Sequence, residues 1–223
     1  MLSRRIGSFV GWAVGAPARG APTRRQVRWR GPILFITRPP RLPARTACDA
    51  GPVGGVRDRA AACLLGLALG DALGAPFEFS RAAAIPEPIP AFELPWNGHP
   101  PGTWTDDTAM ALELVGSLVE RGTFDAGDVQ ARLVAWLRSG PPDVGSQTRA
   151  ALLAAEPGLP PGEAARRVWE RRGPEVSAGN GSVMYCAPLG AFRARVPERL
   201  RREAPALSAI TTGTSAAAPP AWR

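Results

Sequence analysis

The chain has 223 residues, 45% hydrophobic and 21% charged, which is enough for one globular domain with a real core. Its net charge of +8 resides in the first part: residues 1–59 hold 12 Arg against Asp49 and Asp58, whereas residues 60–223 hold 15 Arg against 17 acids, so no basic face is left for nucleic acid. One histidine, His99, and three scattered cysteines, Cys48, Cys63 and Cys186, leave almost no room for histidine-built metal clusters, Ser-His-Asp triads or a disulfide framework.

Cysteines this sparse suit a reducing compartment, and a cytoplasmic location is expected. Any metal must be held by oxygen, which favours Mg²⁺, Ca²⁺ or Mn²⁺ over Zn²⁺. Lysine is absent, a bias that reads as base composition of the coding DNA.

Residues 1–55 form an Arg-, Pro- and Gly-rich head. Its start, "MLSRRIGSFVGWAVGAPARGA", has the outline of an export signal, but the apolar stretch is short and holds three glycines. A disordered or wrongly extended N-terminus is the preferred reading. "GPILFIT" (31–37) is a candidate strand without a partner.

From Val56 the sequence turns helical. Gly66, Gly70 and Gly74, four residues apart, are expected to line one helix face with bare backbone that a neighbour can approach closely. The apolar run from Ala60 ends at Asp71, short of the ~20 residues a bilayer span needs, so no membrane role is expected. Residues 85–104, crowded with Pro and Gly, read as loop.

A helix is expected from Asp106 to about Glu120, with Leu112, Val115 and Val119 on one side and Gly122 as its stop. The next starts at a capping Asp125, shows Val129, Leu133, Trp136 and Leu137 at i, i+4, i+7, i+8, and closes at Gly140. Shorter helices follow at about 146–155, at 161–172 with Pro161 in the first turn, at 183–192 and at 197–208. No alternating segment of strand length competes, which predicts an all-α domain over 56–210. Residues 211–223 lose all periodicity and read as a disordered tail, so the domain is expected to be C-terminally truncated.

Three motifs carry candidate chemistry. In "TWTDDT", Thr105 caps a helix while Asp106 and Asp107 favour the positive end of its dipole, which explains the motif without function. Alternatively, the two carboxylates and the Thr105 hydroxyl converge beyond the helix end on a hard cation. The dipole there opposes a dication, so such a site needs carboxylates from another segment too. In "GDALGAPFE", Asp71 is either a solvated or backbone-satisfied acid, or it anchors the outer shell of a metal site. Glu78 then reaches that site from the turn at Pro76 as general base or gate. In "SAGNGSVMYCAPLG", Gly179, Asn180 and Gly181 suit a positive-φ turn ahead of a short helix. That is either a plain connection or a nest of N–H groups for a diphosphate.

Taken together and in this order, GDALG-x-P-x-E, W-T-D-D-T and G-N-G-S-x-M, with Pro188 and Gly190 behind them, resemble the ADP-ribosylglycohydrolase family over about residues 56–210. The resemblance implies an all-α fold, a two-magnesium centre (manganese the alternative), and removal of ADP-ribose from a modified arginine or serine side chain or a small ADP-ribose adduct. It implies Thr105, Asp106 and Asp107 as metal ligands, with Asp106 and Asp107 also catalytic, and Glu78 as base or gate. It implies Gly179, Asn180, Gly181, Ser182 and Met184 as the loop that wraps ADP-ribose. Tyr185 stands where the family often has arginine. The family's second acidic cluster, a GG-D-T-D-T-like stretch, is missing, as is the histidine after "SAIT", where Thr212 stands. The expected activity is therefore impaired. The alternatives are a non-catalytic ADP-ribose-binding module and an inactive structural fragment, and the oligomeric state is left open.

Overall fold

The structure, a computed structural model, describes residues 55–173, 177 and 179–213. The expectations for the head, the 31–37 strand and the tail beyond Gly213 lie outside these residues. Among the described residues there are seven α-helices and no strand, so the all-α expectation holds. They are α1 (Val56–Gly74), α2 (Asp106–Arg121), α3 (Ala126–Arg138), α4 (Ser146–Leu153), α5 (Glu163–Arg172), α6 (Ala187–Phe192) and α7 (Pro197–Thr212). A turn of 3₁₀ helix at Ala75–Phe77 follows α1, and a second lies at Ala82–Ala84.

The core is built by α2, α3, α4, α6 and α7. Met110, Leu114 and Leu118 of α2 meet Val129, Leu133 and Leu137 of α3, with Leu152, Leu189, Leu207 and Ile210 closing the cluster. The α3 stripe lies where periodicity put it, although Trp136 is only partly buried. In α2 the side with Leu112 and Val119 is exposed, and the buried side is the one carrying Met110 and Leu114. Leu112, Val115 and Val119 repeat at i, i+3, i+7, and Met110, Leu114 and Leu118 at i, i+4, i+8. Both spacings suit a buried helix stripe, so only the placement of α3 and α6 selects between them.

Local capping follows the sequence closely. Thr105 and Asp125 are the N-caps of α2 and α3, and Asp125 accepts from the Asp128 N–H at 3.0 Å. Gly122 ends α2 at φ 65° with its N–H donating to the Leu118 carbonyl. Asp128 pairs with Arg121 at 2.6 Å and Arg132 at 2.7 Å across the α2–α3 turn. These two guanidiniums outweigh the cost of its burial and hold its carboxyl well below the usual range.

Several ends differ from expectation. Helix α5 starts at Glu163, not at Pro161, because Gly162 at φ 83° forms the N-cap and donates its N–H to Gln130 Oε1 at 2.9 Å. Residues 181–185 are turns, so α6 begins only at Ala187. Helix α7 runs past Ile210 to Thr212, which corrects the tail boundary at 211. Thr211 is fully buried against the Tyr185 hydroxyl, and Gly213 at φ 73° closes the helix. Thr211 and Thr212 give no apolar signal, yet tertiary contacts hold them helical.

Helix α1 lies against α6 and α2, but among the described residues nothing comes within 4 Å of a Cβ built on Gly66, Gly70 or Gly74. The close approach expected there is not made by any described residue. Arg57–Phe77, 21 residues with mean hydropathy 1.6, is long and apolar enough to cross a membrane, which corrects the shorter run counted from Ala60. Its one interior acid, Asp71, is committed to the start of α2.

Candidate active site

Asp71, in the last turn of α1, accepts four donors from the first turn of α2. The Thr105 N–H sits 3.1 and 3.0 Å from its two oxygens, and the Thr105 hydroxyl donates to Oδ1 at 2.8 Å. The Thr108 N–H and hydroxyl donate to Oδ2 at 3.1 and 2.6 Å. One α1 carboxylate thus satisfies N–H groups that a helix start leaves unpaired. Thr105 itself caps only loosely, accepting the Asp107 N–H at 3.5 Å.

Asp106 is buried, and its Oδ2 accepts the Gly145 N–H at 3.2 Å. That bond draws the loop before α4 onto the start of α2. It brings in Asp143, a carboxylate that sequence reasoning passed over. In "GPPDVGS" Asp143 reads as a polar residue near a helix start, and only its position after two prolines, in a loop too short to move far, hinted at a fixed role. Glu78 follows the 3₁₀ turn and is itself exposed. Its charge is felt by the other acids.

Asp71, Glu78, Asp106, Asp107 and Asp143 therefore share one region, and the charges that act most strongly on Glu78, Asp106 and Asp107 are those of the other acids. Burial, then the charges of Asp71, Asp106, Glu78 and Asp143, push the Asp107 carboxyl up to about 6. Burial and Asp143 raise Asp106, opposed by the Gly145 bond. Burial and the charges of Asp143, Asp106 and Asp71 raise Glu78, opposed by a hydrogen bond from the Trp96 side chain. Mutual repulsion of this kind is what a bound cation relieves.

The donors at the start of α2 decide whether a metal fits there. All are oxygens, as a hard dication requires. The Asp107 carboxylate accepts no hydrogen bond among the described residues, and the Thr105 hydroxyl has spent its proton on Asp71. Yet no group of three or more His, Cys, Asp or Glu among the described residues is arranged around one point as a cage. Thr105, Asp106 and Asp107 fit one side of a metal site.

The "SAGNGS" loop meets this site through α4. Thr148 Oγ1 lies 2.9 Å from a Cβ built on Gly181 and 3.9 Å from one built on Gly145, the residue that binds Asp106. Gly181 is thus required by a close approach. Neither Asn180 nor Gly181 has the positive φ expected of them, and the loop runs into turns instead of a helix N-terminus. Ser182 Oγ accepts from Ser208 Oγ at 2.8 Å, and Met184 is partly buried against the core. Tyr185 is fully buried, its hydroxyl 3.3 Å from the Leu207 carbonyl and from Thr211 Oγ1, so it faces the core. Two residues after Gly145, the Gln147 amide is buried, with neither polar atom bonded among the described residues.

A model of the ADP-ribosylglycohydrolase family matches residues 52–220. The chain is 36% identical over 143 residues to the ADP-ribosyl-[dinitrogen reductase] glycohydrolase of Rhodospirillum rubrum, covering 60% of this chain and 44% of that protein. It is 36% identical over 178 residues to the ADP-ribosylarginine hydrolase Tri1 of Pseudomonas putida (strain GB-1), covering 75% and 44%. A solved structure described as an ADP-ribosylglycohydrolase-related protein complex superposes with a TM-score of 0.51 at 36% identity, over 69% of this chain and 50% of that one. The chain thus spans about half the length of the relatives it matches. A family match over residues 52–220, most of the chain, means that this chain belongs to the ADP-ribosylglycohydrolase family.

Proposed function

We propose that the carboxylate cluster and the Gly179–Met184 loop form the substrate site of a hydrolase that removes ADP-ribose from a modified side chain, an arginine foremost, or from a small adduct. The observation that carries this reading is the pairing through α4: one helix start holds Asp106 on one side and touches the glycine loop on the other. That spacing suits a ligand with a diphosphate at one end and a reacting ribose at the other.

The loop of Gly179, Asn180, Gly181 and Ser182 offers backbone N–H groups and a hydroxyl to the diphosphate, a role that needs no lysine. Met184 backs the loop from the core. Glu78 or Asp107, whose carboxyls are both raised by the neighbouring acids, takes the proton of the attacking water as the glycosidic bond to the anomeric carbon breaks, and that proton passes to the leaving nitrogen or oxygen. Their negative charge also stabilises the positive character that develops on the ribose ring.

Thr105, Asp106 and Asp107 would hold Mg²⁺, or Mn²⁺ in its place. When bound, that cation supplies a Lewis acid for the ribose hydroxyls and water. Because these ligands occupy one side only, they bind the ion weakly, and turnover is slow. Its sparse cysteines support a reducing, cytoplasmic setting.

The test is release of ADP-ribose from an ADP-ribosylated arginine substrate during a magnesium titration. Slow, magnesium-dependent release that is lost in Asp106→Asn supports the reading. Release unaffected by chelator, or absence of both release and ADP-ribose binding, overturns it. The one-sided ligand set favours a second reading, an ADP-ribose-binding module without turnover. Affinity for ADP-ribose that survives both chelator and loss of Asp106 and Asp107 would establish it.

A further inference from the structure

We infer that Asp71 is a positioning residue, which turns the lone pairs of the Thr105 hydroxyl toward the cation by compelling that hydroxyl to donate its only proton to α1. The inference rests on the metal reading of Thr105, Asp106 and Asp107 given above.

A helix start needs acceptors for its N–H groups, and any neutral oxygen at residue 71 could supply one. The observed arrangement goes further. Asp71 faces two hydroxyls as well as two N–H groups, and an ionised carboxylate has no proton to give. Thr105 Oγ1, 2.8 Å from Oδ1, and Thr108 Oγ1, 2.6 Å from Oδ2, must therefore both donate. For Thr108 this fixes only a buried side chain. For Thr105 it decides what the hydroxyl shows to a cation. With its proton held by Asp71, Thr105 keeps two lone pairs, of which the Asp107 N–H engages one at a long 3.5 Å. Were the proton free to rotate, it would point a partial positive charge at the ion for part of the time. Asp71 lies 34 residues before Thr105 and reaches it from a different helix. Outer-shell groups of this kind are known to orient metal ligands and raise their basicity.

An asparagine at residue 71 tests the idea, since it is nearly the same shape. Its amide keeps the oxygen at the Oδ2 place, where the Thr105 and Thr108 N–H groups both need an acceptor, and so sets the NH₂ group at the Oδ1 place against Thr105 Oγ1. That hydroxyl then accepts from the amide, and its own proton is no longer held by α1. Mn²⁺ binding, followed by the electron paramagnetic resonance of the free ion, should weaken about tenfold to a hundredfold in Asp71→Asn, the range seen for outer-shell changes. Thr108→Val loses a bond to the same carboxylate but leaves Thr105 untouched, so it should lower thermal stability with Mn²⁺ affinity unchanged. Thr105→Val should lose affinity as Asp71→Asn does, and the double variant should lose no more than Thr105→Val alone, because Asp71 acts through that hydroxyl.

Equal Mn²⁺ affinity in Asp71→Asn and wild type, or equal losses in Asp71→Asn and Thr108→Val, would overturn the inference and leave the metal reading standing. Failure of the wild-type chain to bind Mn²⁺ would overturn the metal reading and the inference with it. Should Asp71→Asn fail to fold, the metal-free wild type still decides. Its Thr105 hydroxyl proton should be visible by nuclear magnetic resonance in slow exchange and should persist when Mg²⁺ is added. A rapidly exchanging proton there is the refuting result.

Discussion

Asp107→Asn should stabilise the metal-free protein at neutral pH and not at acid pH. Asp107 is raised from 3.8 to about 6 by burial and by four other acids, so folding holds it where its charge is unwelcome. The sign follows from proton linkage: between the unfolded and folded values the native state binds more protons, and stability falls as pH rises through that interval. At face value the rise corresponds to about 3 kcal/mol at about 1.4 kcal/mol per pH unit. Asp107 is partly open to solvent, and screening reduces this to about 1 kcal/mol. An uncharged amide removes the repulsion, so the variant should melt about 2–4 °C higher at pH 7, as expected for a domain of this size. The gain should shrink toward zero near pH 4, where the wild-type group is protonated in the folded protein. Thermal unfolding followed by circular dichroism at pH 4, 5.5 and 7 in low salt measures it. Saturating Mg²⁺ should reverse the order, stabilising wild type and not the variant. A variant that is less stable at pH 7 without metal, or a gain independent of pH, would show that Asp107 does not sit in a repulsive cluster.

Four further outcomes test the architecture. Arg193→Ala removes a buried guanidinium bonded to Glu203 at 2.6 and 2.9 Å and to Thr123 at 3.2 Å. It should cost about 3–5 kcal/mol in urea unfolding, and adding Glu203→Gln should recover part of the loss. Gly213→Ala places a Cβ 2.4 Å from the Ala165 carbonyl oxygen at φ 73°; a loss above about 1 kcal/mol is expected by the same measurement. Leu133→Ala empties a fully buried site between α3 and the core and should cost about 2–5 kcal/mol. Gly181→Ala drives a Cβ to 2.9 Å from Thr148 Oγ1; calorimetry should show weaker ADP-ribose binding with little change in melting, and Thr148→Ala should restore it.

The sequence by itself determined what is local. The caps Thr105 and Asp125, the stop at Gly122 and the α3 stripe of Val129, Leu133 and Leu137 each rest on residues within about two helical turns, so propensity and periodicity suffice to place them. The motif order was equally legible, because the residue types of the family segments survive in the chain. Tertiary structure decided everything that depends on residues far apart. Periodicity alone could not choose between the two apolar stripes of α2. The buried Thr211 and Thr212 carry no hydrophobic signal, and Gly181 is required by Thr148 more than 30 residues before it. Asp143 looked like an ordinary loop acid until the Gly145 N–H tied that loop to Asp106. Asp71 could be read as solvated until its four donors were in place. A carboxylate's role is set by its partners, and in this site those partners come from other helices, which only the folded chain brings within hydrogen-bonding distance.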